Sequence, residues 1–403
     1  MQGSAQPLVV KTDFTFPRPD QVSSPVVTFN NGDQFWIACP GGYLRTTNRK
    51  MAGLNARGEL MTCQGGTRIA NTKNKIFDYD KIVCIPYVPG AAPKLKQIEY
   101  HDAASTCVNQ YTQIDVGYSI ADEKFVPVFT TCFDETNLSP VYSRETVTPW
   151  ARQGQHGTRP NIFKGSSVYG GRNIANLYAT VHTILTKLGI NTYSTPLNSL
   201  VKGHLAANGD FLYKFQRDAT FFYPNVAPQL AKFNEGNWNK LENRIAYIAE
   251  NIVQNDATVL TGTLNVLSLV GTKGAKEVFL VPKKSKIPVP EYFWKFVFYS
   301  TKQVGLVFFG VNNDNPGTEQ GNNFLAEICE EDVFSLIQND WGLQNINNGD
   351  KSLGIIYACK LNRLRHALMT KIVPNVLNEF GVNAADVKMT FNPLPTTTTT
   401  PTA

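Results

Sequence analysis

The periodicity of this chain predicts an α+β fold. Three observations carry that expectation. Short β-branched and aromatic runs, broken by Gly, Pro and Asn, fill the stretch from Gln21 to about Val147. Two amphipathic helices follow, and long apolar runs with strand character come after them.

Taken in order, Pro25–Phe29, Gln34–Ala38 and Phe125–Phe129 read as strands, with turns at Asn30–Asp33, Gly41–Gly42, Gly65–Gly66 and Pro89–Gly90. From Trp150 to Gly171 the chain is polar, glycine-rich and loop-like. Ile174, Leu177, Tyr178, Val181, Leu185 and Leu188 then recur at helical spacing, and Gly189 is placed to end that helix. Leu197 to Pro228 reads as extended with turns. A second helix is expected from Gly236 to Gln254, burying Trp238, Leu241, Ile245, Ile248 and Ile252. Strands follow at Val278–Val281, Phe293–Tyr299 and Gly305–Val311, and a last helix at Val373–Phe380.

A chain of 403 residues is long for one ordinary domain, which favours two. With 42% hydrophobic and 17% charged residues it can bury a core, which excludes a disordered protein. The net charge of +6 suits a polyanionic partner. No apolar run is long enough for a membrane-spanning helix, and the polar start Met1–Ala5 lacks a signal-peptide pattern. The chain therefore reads either as cytosolic or as a mature secreted protein.

The seven cysteines contain no Cys-x-x-Cys pair, which argues against a zinc ribbon or a redox motif. They read as a disulfide framework with one thiol left over. Cys329–Cys359 is the favoured bridge; pairing among Cys39, Cys63, Cys84, Cys107 and Cys132 stays open. A sequon at Asn137 and a Pro/Thr-rich end also fit secretion. The expected division is a β-rich, disulfide-tied accessory domain over 1–147, a second domain over 148–390 and a disordered tail over 391–403.

The chemistry concentrates in three blocks. They are Leu200–Asp210, containing Lys202-Gly-His204; Gln216–Gln229, containing Pro224-Asn-Val-Ala-Pro-Gln229; and Phe233–Glu242, containing Asn234-Glu-Gly-Asn-Trp-Asn-Lys-Leu-Glu242. Locally they read as strand, loop, strand, helix. Phosphodiester hydrolysis needs a base near neutral pH, positive charge for the transition state and a Lewis acid for the leaving oxygen. His204 could be the base. Asn234 could offer a carboxamide oxygen to a hard ion, with Glu242 orienting water nearby. Taken singly, each has a plainer reading: a structural histidine, a helix N-cap and a solvated surface charge.

Together the blocks resemble the DNA/RNA non-specific endonucleases of the ββα-metal, or His-Me finger, class. The likeness runs over roughly Trp150 to Gly381. Lys-Gly-His and Asp218-Ala-Thr-Phe-Phe222 resemble the secreted arthropod branch, the double-stranded ribonucleases and duplex-specific nucleases of gut and saliva. Ile287–Lys295 resembles the family's core strand. The resemblance implies a ββα-metal nuclease core behind an all-β accessory domain, and Mg²⁺ as cofactor with Mn²⁺ as a substitute. It implies double-stranded RNA or DNA as substrate. It implies His204 as general base, Asn234 as metal ligand and Glu242 as the acid that orients water on the ion. Asn225 would support the phosphate or the histidine, and Arg159 and Lys202 would meet the phosphate. Val201 stands where the family signature has Asp, and Lys202 where it has Arg. Two other readings are an inactive nucleic-acid-binding scaffold, supported by Val201, and a binding module built on Phe35, Trp36 and Tyr43.

Overall fold

The computed structural model describes residues 6–47, 57–86, 94–120, 124–154, 159–160, 162–179, 185–186, 199–271, 274–280, 287–314 and 323–391. Its frame is an eight-stranded antiparallel sheet. The spatial order is Ile356–Cys359, Val304–Val311, Pro290–Tyr299, Ala257–Val266, Ser139–Val147, Phe125–Asp134, Thr112–Ser119 and Lys96–Tyr100. The middle strands are buried on both faces, which is why Pro290–Tyr299 and Val304–Val311 read as nearly continuous apolar runs. Alternation still decides which layer each side chain joins. Phe293, Val297 and Tyr299 pack toward a helical segment running from Ala231 to Val253. Tyr292, Trp294, Phe296 and Phe298 pack on the opposite face with the helix Met369–Asn378.

A smaller five-stranded antiparallel sheet precedes this frame, in the order Leu8–Lys11, Gln34–Ala38, Gly58–Cys63, Arg68–Asn71, Ile76–Asp78. Beside it lies a two-stranded antiparallel sheet, Gly42–Thr46 with Ile82–Pro86. Phe35, Ile37, Leu44, Met61 and Phe77 form its separate core. Phe35 is buried and stacks on Phe29, and Trp36 carries the Lys124 ammonium over its ring.

The sheet moves the expected division at residue 147. Ser139–Val147 pairs with Ala257–Val266 over six residue pairs, so strands from Lys96 onward share one sheet with the elements after 148. What the changed composition after Pro149 marks is a loop between two strands of one layer. The expected tail start also moves. Phe391 is buried against Trp341 and Tyr299, and its N–H donates to Asp340; residues 392–403 lie outside the described residues.

The second helix begins about five residues before the sequence suggests, at Ala231. Trp238, Leu241, Ile245 and Ile248 are fully buried, while Ile252 is half-buried. The first helix is described from Ile174 to Ala179; Val181 and Leu188 fall outside the described residues. The last helix runs one turn earlier than expected, over Met369–Asn378. Pro25–Phe29 joins no sheet, and near Val278 the paired strand is Gly274–Glu277. Among the described residues no helix is long and apolar enough to cross a membrane.

Cys329–Cys359 forms as expected, and the open pairings resolve as Cys39–Cys84 and Cys107–Cys132. Cys63 is left free and buried. Alkylating the unreduced, denatured protein should therefore label Cys63 alone; a second labelled cysteine in the peptide map contradicts this pairing. Removing Cys329–Cys359 opens a loop spanning 30 residues, and a loss of about 3 kcal/mol in denaturant unfolding is expected.

Candidate active site

The three sequence blocks fold into a hairpin and a helix. Leu200–His204 pairs antiparallel with Val226–Leu230, and the chain enters the helical segment at Ala231. In the hairpin His204 lies opposite Val226, and Gly203 opposite Ala227. Gly203 is required by packing: a Cβ there would lie 2.1 Å from Gln229 Oε1.

Asn234 is not an N-cap, because the helix has already started and Asn234 holds helical angles. It opens a single π-helical turn, Asn234–Trp238, before the α-helix Asn239–Ile248. An α-helix advances about 100° per residue, so eight residues would leave Glu242 about 80° round from Asn234. The π turn, broken at Gly236 where the backbone leaves helical angles (φ −90°, ψ −120°), changes that count, and both residues line one cavity. Gly236 permits that turn to approach Leu353, whose carbonyl a Cβ would meet at 3.0 Å. Asn237, fully buried, donates to the carbonyls of Asn347 and Gly354 and accepts the Asn347 N–H, which ties the turn down.

A cavity of about 640 Å³ opens over this unit. His204, Asn234, Glu242, Arg159 and Lys202 all line it. Asn225 does not line it. Its side chain is fully buried, and all four hydrogen-bonding positions are used within the protein. Oδ1 accepts from the Ala206 N–H at 2.9 Å and from the Ser143 hydroxyl at 2.8 Å. Nδ2 donates to the carbonyls of Ala206 and Thr220, each at 3.0 Å. The Leu205 N–H also donates to the Asn225 carbonyl at 2.8 Å. Asn225 thus clamps the loop that leaves His204 and has no group left for a phosphate. Val201, where the family signature has Asp, is half-buried opposite Gln229.

The His204 ring is half-buried between Phe163 and Phe221, at centroid distances of 5.4 and 5.0 Å. Among the described residues its Nε2 meets no hydrogen-bond partner. Burial lowers the imidazole pKa to about 3, with Arg159 and Lys202 pushing the same way. The ring is therefore neutral. Arg159 is exposed and stacks over Phe221 at 5.4 Å. The Lys202 ammonium sits over Phe163 at 5.1 Å and Tyr178 at 5.4 Å, and burial lowers its pKa.

Carboxyl groups line the cavity as well. Burial raises Glu242 to about 7 against the pull of Lys295, whose Nζ is 3.8 Å from Oε1. Asp210, also lining the cavity, is raised by burial to about 6. Behind it Glu145 is buried and held well above the carboxylate range. Sequence reasoning missed Asp210, Glu145 and Lys295 as a group. One signal was present: Lys295 is a lone charge in the run Tyr292-Phe-Trp-Lys-Phe-Val-Phe-Tyr299, and a charge there must find partners inside.

Residues 109–364 match the family described as DNA/RNA non-specific endonuclease. A "Salivary endonuclease" of Lutzomyia longipalpis is 31% identical over 363 residues, covering 88% of this chain and 78% of the relative. "Salivary protein Tsal1" of Glossina morsitans morsitans is 28% identical over 279 residues, covering 66% and 67%. A chain in the crystal structure of the EndoG/EndoGI complex superposes with a TM-score of 0.34 at 19% identity, over 55% of this chain and 85% of that one. With its strand–strand–helix unit and a family match over most of its length, this chain belongs to the DNA/RNA non-specific endonuclease family and is a nuclease.

Proposed function

We propose that this nuclease cuts double-stranded nucleic acid, RNA or DNA, without reading base sequence, using His204 as general base and Mg²⁺ held at Asn234. One observation carries the reading. A single cavity gathers a neutral imidazole, the cationic side chains of Arg159 and Lys202 among others, and amide and carboxylate oxygens.

The His204 imidazole takes a proton from the attacking water as that water's oxygen bonds to phosphorus. The bond from phosphorus to the 3′ oxygen breaks, that oxygen gains a proton from solvent, and the 5′ side keeps the phosphate. Arg159 and Lys202 offset charge that develops on the phosphate oxygens. Lys202 acts as a point charge, without the two-pronged contact an arginine makes. Asn225 keeps the histidine loop in place and touches no substrate.

The oxygen donors fit a hard divalent ion. Asn234 presents an amide oxygen and Glu242 a carboxylate on the same cavity wall. Among the described residues no cluster of three His, Cys, Asp or Glu could cage a metal. A site this sparse suits Mg²⁺, which keeps most of its waters, and Mn²⁺ could replace it. When bound, the ion supplies Lewis-acid stabilisation of the phosphate and the leaving oxygen.

Contact through cations to the phosphate backbone explains tolerance of sequence. Three disulfides are expected of a protein made for an oxidising compartment. With salivary relatives, this supports secretion into saliva or gut lumen.

Matched duplex RNA, duplex DNA and single strands, each with Mg²⁺ and with EDTA, test the activity. His204→Ala should fold and bind like wild type but lose about 10²- to 10⁴-fold in kcat. Unchanged kcat would remove His204 as the base. Asn225→Ala should lose activity and stability together. It strands the Ala206 N–H and carbonyl, and a cost of about 3 kcal/mol or more is expected in unfolding curves.

The pH dependence separates the histidine from the cavity carboxyls. His204, at about 3, stays unprotonated through the working range, so acid loss of activity follows Glu242, at about 7, ahead of Asp210, at about 6. kcat/KM should fall as pH drops through about 7, and the residual activity of Glu242→Gln should lack that limb. A profile flat from about pH 5 to pH 8 would falsify this role for Glu242.

A further inference from the structure

We propose that Lys295 is a positioning residue for the nuclease reaction: anchored on the central sheet by Thr261, its ammonium fixes the Glu242 carboxylate against the cavity wall. This inference rests on the catalytic reading of Glu242 given above.

Lys295 is 1% exposed and lies deep in the strand Pro290–Tyr299. By alternation it shares a face with Phe293 and Val297, the face that carries the active-site helix. Its Nζ donates to Thr261 Oγ1 at 2.5 Å, directly across the strand pair. It stands 5.5 Å over the Trp238 ring and 3.8 Å from Glu242 Oε1. Burying an ammonium is strongly unfavourable unless its partners are fixed. Here the partner that reaches the cavity is Glu242.

Two more buried carboxyls crowd the same place. Glu145 is 3% exposed and Asp210 4%. Burial raises both carboxyls, Glu145 well above its ordinary value, while Lys295 pulls each the other way. The arrangement leaves the Lys295 ammonium as the nearest opposite charge to Glu242. It fixes one rotamer of a carboxylate whose work depends on its direction.

The test compares wild type with Lys295→Met, which keeps the length and loses the charge. Steady-state kinetics on duplex substrate and Mn²⁺ binding by electron paramagnetic resonance are both measured, the latter without substrate. The expected result is a folded variant with kcat lower by about 10- to 100-fold, KM within about threefold and Mn²⁺ affinity weakened about tenfold. A merely structural lysine would lower the folded fraction while leaving kcat per folded molecule and Mn²⁺ affinity unchanged. That outcome overturns the proposal. If Lys295→Met does not fold, Thr261→Val decides: it releases the anchor, and should lower kcat and Mn²⁺ affinity together. Wild-type values for both in Thr261→Val overturn the proposal. Wild type failing to cut any substrate is a different result, which removes the nuclease mechanism itself.

Discussion

Ser143 has one proton, and it goes to Asn225 Oδ1. Thr131, 2.8 Å from Ser143 on the neighbouring strand, must then donate to it. Thr261 follows in the same cross-strand row, and Lys295 after it. All four are buried. This polar line through an apolar sheet supports both halves of the site. Ser143 steadies the asparagine that clamps the histidine loop, and Thr261 anchors the lysine beside Glu242. Ser143 and Lys295 stand two strands apart, roughly 10 Å at ordinary strand spacing. The separation of base and acid is thus tied to a rigid lattice of backbone hydrogen bonds and owes little to loops.

Charge is sorted across the cavity in the same economical way. Cations sit on the side of the histidine: Arg159 and Lys202 rest on aromatic rings, which accept a cation without neutralising it. Carboxyls sit on the helix side and beneath it, where burial makes them hold protons longer than in water. A phosphate entering the cavity meets these cations, and a divalent ion meets its amide and carboxyl oxygens. The Lys295 ammonium lies beside Glu242.

Much of this was legible in the chain, and the failures have physical causes. Spacing found the buried stripe Trp238, Leu241, Ile245 because helix periodicity is local. It could not find the π turn, which comes from the close approach of Gly236 to Leu353, more than a hundred residues away. The motif picked His204, Asn234 and Glu242, and all three line one cavity. It left Asn225 between supporting the phosphate and supporting the histidine, because sequence order cannot tell a residue that touches the cavity from one that props up a neighbour; its bonds to Ala206 match the second. Glu145, Asp210 and Lys295 come from three distant segments joined only by strand pairing and packing, so no local pattern links them. The division at 147 failed for the same reason: composition changes at a loop, but hydrogen bonding continues through the sheet.

That continuous sheet bears on how such a protein can be shortened. The family match ends at residue 364, yet the helix Met369–Asn378 beyond it covers Trp294, Phe296 and Phe298 on the far face. At the other end, Lys96–Tyr100 lies before the match and closes the edge strand Thr112–Ser119. A fragment trimmed to the matched segment would expose a bare strand edge and a broad aromatic surface at once. Both invite self-association. The smallest unit with a covered core is therefore larger than the matched segment, because Leu8 and Val10 before it and Phe391 after it pack into the same main core.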